Sequence, residues 1–180
     1  MSTNYNNEVS IETTNNRIIT KESILSWIRY LALLLCIVLF IRFGIGISII
    51  SGNSMNPTLE DGSVVIVNKI AFSPERNDIV VVKDSHGYNI IKRVIALPGE
   101  NIEIVNGNVL INNEEIQEDY ILGTSFDIPS TEVPEGHFFI IGDNRTPGES
   151  LDSRDASIGP INQEFIVGES MLSLFPFKGL

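Results

Sequence analysis

"NIEIVNGNVLINN", residues 101–113, is the stretch that decides the fold. Ile102 and Ile104 alternate with Glu103 and Val105, and Val109 and Ile111 alternate with Leu110 beyond the centre. A period of two is the signature of a strand with one covered face. Between the two runs sits Asn106-Gly107, a pair that takes the positive φ values a two-residue hairpin turn requires. The stretch predicts an antiparallel hairpin, and hence a β domain around it.

Working outward, the neighbouring segments read the same way. "YNIIKRVIAL" (88–97) precedes the hairpin and "HFFIIGD" (137–143) follows it, while "GSVVIVNKI" (62–70) and "NDIVVVKD" (77–84) lie further upstream. Each is short, rich in Val and Ile, and bounded by Gly, Pro, Asn or Asp. No helix of two turns or more is expected after residue 50. The expected fold is an all-β domain of barrel-like, folded antiparallel sheets. Residues 100–138 are expected to form a smaller hairpin and loop insertion, with "GTSFDIPSTEVPEG" (123–136) as an exposed loop.

Upstream of residue 43 the character changes. "ILSWIRYLALLLCIVLFI" (24–41) is apolar with one charge, Arg29, and as a helix it reaches about 27 Å, close to the thickness of a bilayer's hydrocarbon. Arg29 can snorkel to the interface beside Trp27 and Tyr30, and Arg42 closes the far end. This core is longer than that of a secretory signal, and no small-x-small site with a polar flank follows it, so an uncleaved transmembrane anchor is expected. Arg17, Lys21 and Arg29 flank its N-terminal side against Arg42 alone on the other. That asymmetry predicts a cytoplasmic tail over 1–23, disordered and Asn/Thr-rich, and an extracytoplasmic β domain over 42–180.

Charge narrows the function. The chain carries a net charge of −11, and since residues 1–42 hold +1, the remainder holds −12. So acidic a domain repels phosphates and is not expected to bind nucleic acid. The single cysteine, Cys36, lies in the apolar span, so no disulfide within the chain is possible and the domain must stand on its own core. No Cys/His spacing suggests a metal site.

A hydroxyl stands out in "SGNSMNPTL" (51–59), a Gly- and Asn-rich turn ten residues past the span. Ser54 becomes a nucleophile only if something removes its proton. His86 and His137, the two histidines, sit at a turn and a strand start with nothing around them that marks a triad. Lys92 is the other candidate base: it lies among Ile90, Ile91, Val94 and Ile95, and burial lowers an ammonium pKa. On a strand, Lys92 and Arg93 point to opposite faces, so one can enter an apolar site while the other meets carboxylates. The competing reading is an edge strand with two exposed cations. Residue pattern alone leaves both open.

Four segments together resemble the bacterial type I signal peptidases, in a single-span, Gram-positive-like form. "SGNSMNPTL", "DGSVVIVNK", "IKRVIALPGE" and "VPEGHFFIIGDNR…SLDSR" stand in the order of that family's boxes, and "FPFKGL" resembles the endings of its single-span members. The resemblance runs from residue 24 to the C-terminus. It implies a Ser54 nucleophile, a Lys92 general base, an oxyanion donor from the Ser54 backbone N–H, and no metal or organic cofactor. Where some members carry a serine hydroxyl as second oxyanion donor, this chain has Gly52, so a backbone N–H or water must serve. The last box here is "GDNRTPGESLDSR", two residues longer than in the family; counting back from "DSR" makes Ser150 the serine that hydrogen-bonds the lysine amine. Arg93, Asp143, Asp152 and Arg154 are then a charge scaffold. The substrate groove is expected along 49–53 and 88–92, from Ile49, Ile50, Ser51, Asn53, Met55, Asn89, Ile90 and Ile91, with the cleaved segment bound as an added strand. "FGIGISII" (43–50) is expected to pack against the membrane interface. Implied partners are signal-peptide-bearing preproteins, the lipid bilayer and, by proximity, the protein-export translocon; the implied location is the bacterial cell membrane.

Two other readings compete. Self-cleaving Ser/Lys peptidases such as the LexA-like repressors need a soluble DNA-binding module where this chain has an apolar span. A non-catalytic, membrane-tethered β domain that binds peptides or a translocation partner would have no need of both Ser54 and Lys92.

Overall fold

The computed structural model describes residues 21–70, 72–84 and 87–180. The tail expected over 1–23 falls almost wholly outside them, as does His86. The chain divides into two units, 1–41 and 42–180. In the first, one helix, α1, begins; it runs Lys21–Gly44 and includes the apolar span. Its stretch Ser23–Gly44 is long and apolar enough to cross a membrane, with a mean hydropathy of 2.5. Its large apolar side chains, from Ile24 to Phe43, are exposed.

The second unit is built of antiparallel strands in two sheets. The larger contains β1 (Ile45–Ile49), β2 (Val64–Asn68), β3 (Ile79–Lys83), β4 (Asn89–Ala96), β9 (His137–Ile141), β10 (Ile161–Asn162), β11 (Ile166–Phe175) and β12 (Phe177–Gly179). Its order is β1-β2-β11-β3-β4-β9-β10, with β12 added on β11. The smaller sheet, in the order β7-β6-β5-β8, contains β5 (Asn101–Val105), β6 (Asn108–Ile111), β7 (Glu114–Glu115) and β8 (Ile128–Glu132). The larger sheet curls into a half-barrel. After α1, the helical content among the described residues is one three-residue turn, Gln163–Phe165.

β3 shows why the middle of the larger sheet is buried on both faces. Its run Ile79-Val80-Val81-Val82 has no polar residue, and every side chain is covered. Ile79 and Val81 enter a cluster with Ile50, Met55, Leu59 and Ile91, while Val80 and Val82 enter a second with Val94, Phe138 and Ile140. A strand that packs on both sides reads as a continuous apolar run. The smaller sheet encloses the third cluster, around Ile102, Ile104, Val109 and Phe139. The Asn106-Gly107 hairpin forms as expected: φ is 52° and 84° at the two turn residues, and Val105 pairs with Asn108.

Two segments, 128–132 and 166–175, depart from the expectations, while 43–50 takes the β form read for it. Within the presumed exposed loop 123–136, residues 128–132 form β8, which pairs with β5; its alternation was hidden because Pro129, Ser130 and Thr131 carry little apolar signal. The 43–50 stretch includes a strand: β1 pairs with β2 from Ile45–Asn68 to Ile49–Val64. Its outward Ile45, Ile47 and Ile49 are exposed. Most notable is β11, the longest strand, which the sequence reading passed over. Its covered positions include Gly168, Ser170 and Ser173, so the usual apolar alternation is absent. Gly168 is there because a Cβ would strike the Asn68 carbonyl and the Val67 side chain across the sheet.

Candidate active site

Ser54 lies on the turn joining β1 to β2. Met55 and Leu59, each 1% exposed, plug this turn into the cluster of Ile50 and Ile79. The turn closes on itself through Asn56 N–H to the Asn53 carbonyl (3.1 Å) and Leu59 N–H to the Met55 carbonyl (2.9 Å). Asn144 grips it from outside: its backbone N–H donates to the Ser54 carbonyl at 3.0 Å and its side-chain amide to the Asn53 carbonyl at 3.1 Å. Gly52 donates its backbone N–H to the Asp61 carboxylate at 2.8 Å. The Gly52 N–H is therefore committed to Asp61.

Lys92 sits in the middle of β4, opposite Val80 of β3, and is 4% exposed. Its amine Nζ is 2.9 Å from Ser54 Oγ and donates to the Ile91 carbonyl at 2.9 Å. Burial is the largest influence on its proton and lowers the pKa from 10.5 to about 8; the Asp152 carboxylate opposes this, Arg154 adds to it, and Asp143 opposes it. The lysine thus has what the residue pattern left open: an apolar position on an inner strand, in reach of the one hydroxyl.

The neighbouring Arg93 diverges to other partners. Its guanidinium makes a two-pronged pair with Asp143, Nε to Oδ1 at 2.8 Å and Nη2 to Oδ2 at 2.6 Å. Arg154 and Asp152 form a second such pair, both contacts at 2.8 Å. All four residues are buried, so each charge depends on its partner. Ser150 departs from expectation. Its hydroxyl donates to Asp152 Oδ2 at 2.6 Å, whereas the bonds of the Lys92 amine go to Ser54 and Ile91. Asp152 also accepts from the Gly142 N–H at 3.0 Å. Although burial would raise the Asp152 pKa, the Arg154 guanidinium, the Ser150 hydroxyl and the Gly142 amide together hold it below the ordinary carboxylate value.

A groove of about 120 Å³ opens beside the pair, lined by Ser48, Ile49, Ile50, Ser51, Ser54, Met55, Asn89, Ile90, Ile91 and Lys92. It includes every expected groove residue but Asn53, whose carbonyl is occupied by Asn144. The edge of β4 matters here. β3 pairs with β4 over Asn89–Arg93, but on the other side β9 pairs only from Arg93 onward. Among the described residues, no strand pairs with the groove-side edge of the first half of β4.

Sequence reasoning assigned no role to Gly142, Asn144 or Arg145. Gly142 packs so closely that an added Cβ would strike Ser150 and the Ser54 carbonyl. Arg145 is fully buried and donates to the Gly142 carbonyl at 2.8 Å. The "GDNR" motif was the only available signal, and it marks the segment without separating these tasks. His137 sits at the start of β9, with Nδ1 3.0 Å from the Glu135 carbonyl. Among the described residues, no group of three or more His, Cys, Asp or Glu could hold a metal ion.

Comparison with known proteins bears on the family. The family model for signal peptidase, peptidase S26, matches residues 24–175. The chain is 37% identical over 147 residues to signal peptidase I of Bacillus amyloliquefaciens, covering 73% of this chain and 75% of that one. It is 32% identical over 174 residues to signal peptidase I of Bacillus licheniformis, covering 88% and 92%. A solved signal peptidase I from Enterococcus faecalis V583 aligns with 54% of this chain and 97% of its own at 30% identity, with a TM-score of 0.48. With the family model spanning most of the chain and relatives matched over most of their length, this chain belongs to the peptidase S26 signal peptidases and is a serine peptidase of the type I kind.

Proposed function

We propose that the chain removes signal peptides from exported preproteins, using Ser54 as nucleophile and Lys92 as the base that activates it. The observation that carries this reading is the 2.9 Å contact between Lys92 Nζ and Ser54 Oγ. A neutral amine has two N–H groups and one lone pair. One N–H goes to the Ile91 carbonyl, which leaves the lone pair free for the serine proton.

The chemistry follows. Lys92 takes the Ser54 proton as Oγ attacks the carbonyl of a small residue. The Ser54 backbone N–H meets the developing oxyanion; since Gly52 N–H is held by Asp61, water is the better second donor. Lys92 then protonates the departing amine, and afterwards activates the water that releases the acyl group. The segment before the cut lies along the groove as an added strand, on the open edge of Asn89–Lys92. Small side chains suit a groove of this size.

α1 is the proposed anchor, crossing the bacterial cell membrane with the N-terminus in the cytoplasm and the domain outside. Ser54 follows the last residue of α1 by ten positions, which keeps the nucleophile on a short tether to the bilayer where a preprotein's apolar segment resides. Proximity to the export translocon belongs to the same proposal. The test is cleavage of a preprotein by the full chain, Ser54→Ala and Lys92→Ala in detergent or vesicles. Both variants are expected to lose activity; cleavage by either at the wild-type rate removes the reading.

A further inference from the structure

The segment from Glu118 to Ser125 comes from the insertion between β7 and β8, and the reaction as described makes no use of it. Yet it touches all three buried arginines around the Ser54–Lys92 pair. Glu118 pairs with Arg145 through both carboxylate oxygens. The Tyr120 ring stacks 4.0 Å from the Arg93 guanidinium, and its hydroxyl reaches Glu118 at 3.0 Å. The Ser125 hydroxyl accepts from Arg145 at 3.1 Å and from Arg154 at 3.4 Å. The backbone joins in as well. Leu122 N–H donates to the Asp143 carbonyl (2.9 Å), and Arg145 N–H donates back to the Leu122 carbonyl (2.7 Å).

Charge and connectivity give these contacts a meaning. Three guanidiniums, Arg93, Arg145 and Arg154, face three carboxylates, Asp143, Glu118 and Asp152, in one-to-one pairs. Glu118 is the only member of this set outside the 93–154 boxes quoted from the sequence, and without it a fully buried cation stands alone. Asn144, which grips Ser54, is flanked by the two residues that bond Leu122. The strap is rooted at its other end, because Tyr120 packs on the core of the smaller sheet.

We propose that residues 118–125 form a positioning strap, in which Glu118, Tyr120 and Ser125 hold the arginines and the 142–145 turn that fix Ser54 and balance the charge at Lys92. The proposal rests on the Ser54/Lys92 reading above. The strap touches neither reacting atom and acts through Arg93, Arg145, Arg154 and Asn144. Lys92 is faced by Asp143, Asp152 and Arg154, with Arg93 beside it on β4 and the uncharged Val80 opposite on β3. Neutralising Glu118 adds one uncompensated positive charge to this set, and a more positive surrounding favours the neutral amine.

The experiment is preprotein cleavage by the full chain across pH 6–10, with amide hydrogen exchange on the same samples. Glu118→Gln is expected to lower kcat about tenfold or more with KM within about twofold, and to move the acid limb of kcat/KM to lower pH. Exchange at Asn144 and over 53–56 is expected to quicken. A variant that merely unfolds in part would lose activity with its limb unmoved, and that result, or a wild-type kcat, overturns the proposal. If Glu118→Gln does not fold, Tyr120 decides, since changing it strands no charge. Tyr120→Leu is expected to lose about threefold to tenfold in kcat, with Tyr120→Phe retaining more because its ring still covers Arg93. Equal kcat for the two overturns the strap. Cleavage by Ser54→Ala would instead sink the dyad, and the exchange result would still report on the strap.

Discussion

Lys92 Nζ stands 2.9 Å from Ser54 Oγ and 2.9 Å from the carbonyl of the residue just before it, Ile91. In the proposed mechanism one contact serves the chemistry and the other aims the amine. With its pKa lowered to about 8, chiefly by burial, about one amine in ten is neutral at pH 7. The rate of preprotein cleavage is therefore expected to climb about tenfold per pH unit below 8 and to level off above it. His86→Asn and His137→Asn together should leave that limb where it is. A limb centred near 6.5 that vanishes with the histidines would transfer the role of base to one of them.

The same burial makes a stability prediction. Lys92 has a folded pKa of about 8 against 10.5 when exposed. Below pH 8 both states are protonated, and the fold carries the full cost of a charged amine away from water. Between 8 and 10.5 the unfolded chain binds more protons than the native one, so stability rises with pH across that window. The cost below pH 8 is about 3 kcal/mol. Lys92→Met should therefore be inactive yet more stable than wild type by about 1–3 kcal/mol at pH 7. The gap should narrow from pH 8 to 10.5. Urea unfolding of the two proteins at several pH values checks this, and a variant less stable at pH 7 contradicts it.

How far the sequence alone reached depends on what each residue must do. Asn106-Gly107 was legible because a two-residue turn demands positive φ, and few residue pairs supply it. β3 was legible because a strand covered on both faces must be apolar throughout, and β4 because Ile90, Ile91, Val94 and Ile95 give a strand's composition around Lys92 and Arg93. β11 was not, because its inner positions are filled by Gly168, Ser170 and Ser173, which fit the space without an apolar pattern. Residue types alone made Ser54 and Lys92 candidates while favouring an edge cation for Lys92; the order of the four boxes tipped the reading to a pair. Ser150 was expected to bond the Lys92 amine, yet its hydroxyl donates to Asp152, a choice between two nearby partners that no sequence pattern encodes. Glu118, Tyr120 and Ser125 gave no signal, since contacts across twenty or more residues of sequence leave no local pattern.

Gly142 offers a steric test. Its missing side chain lets Ser150 and the Ser54 carbonyl close on the 142–145 turn, and a Cβ would meet both. Ser150 can rotate, but the Ser54 carbonyl is backbone, held by Asn144 at 3.0 Å. Gly142→Ala must therefore push the nucleophile turn away from β4 and lengthen the Ser54–Lys92 contact. The expected result is a fall in kcat of about a hundredfold, with about 1–3 kcal/mol lost in stability. Double substitution with Ser150→Ala should recover little, because the backbone clash persists. Full recovery in the double variant would mean that the Ser150 side chain was the true obstacle.

The groove yields a specificity prediction. Ile91 lines it next to Lys92 while lying 7% exposed against Ile50 and Met55. Its side chain thus forms wall and core at once, and shortening it enlarges the groove without touching either reacting group. If the groove is the proposed substrate site, Ala before the cut is expected to be accepted and the larger Val to be disfavoured. Each methylene that a pocket accepts or refuses is worth about 1–3 kcal/mol. Ile91→Ala should therefore lower the ratio of kcat/KM for the Ala substrate over the Val substrate by about tenfold or more. Absolute rates should fall for Ala, since the wall that steered it has receded. Competition between the two preproteins in one reaction reads the ratio directly and is insensitive to partial unfolding, which scales both rates together. An unchanged ratio would place the size limit on another wall of the groove.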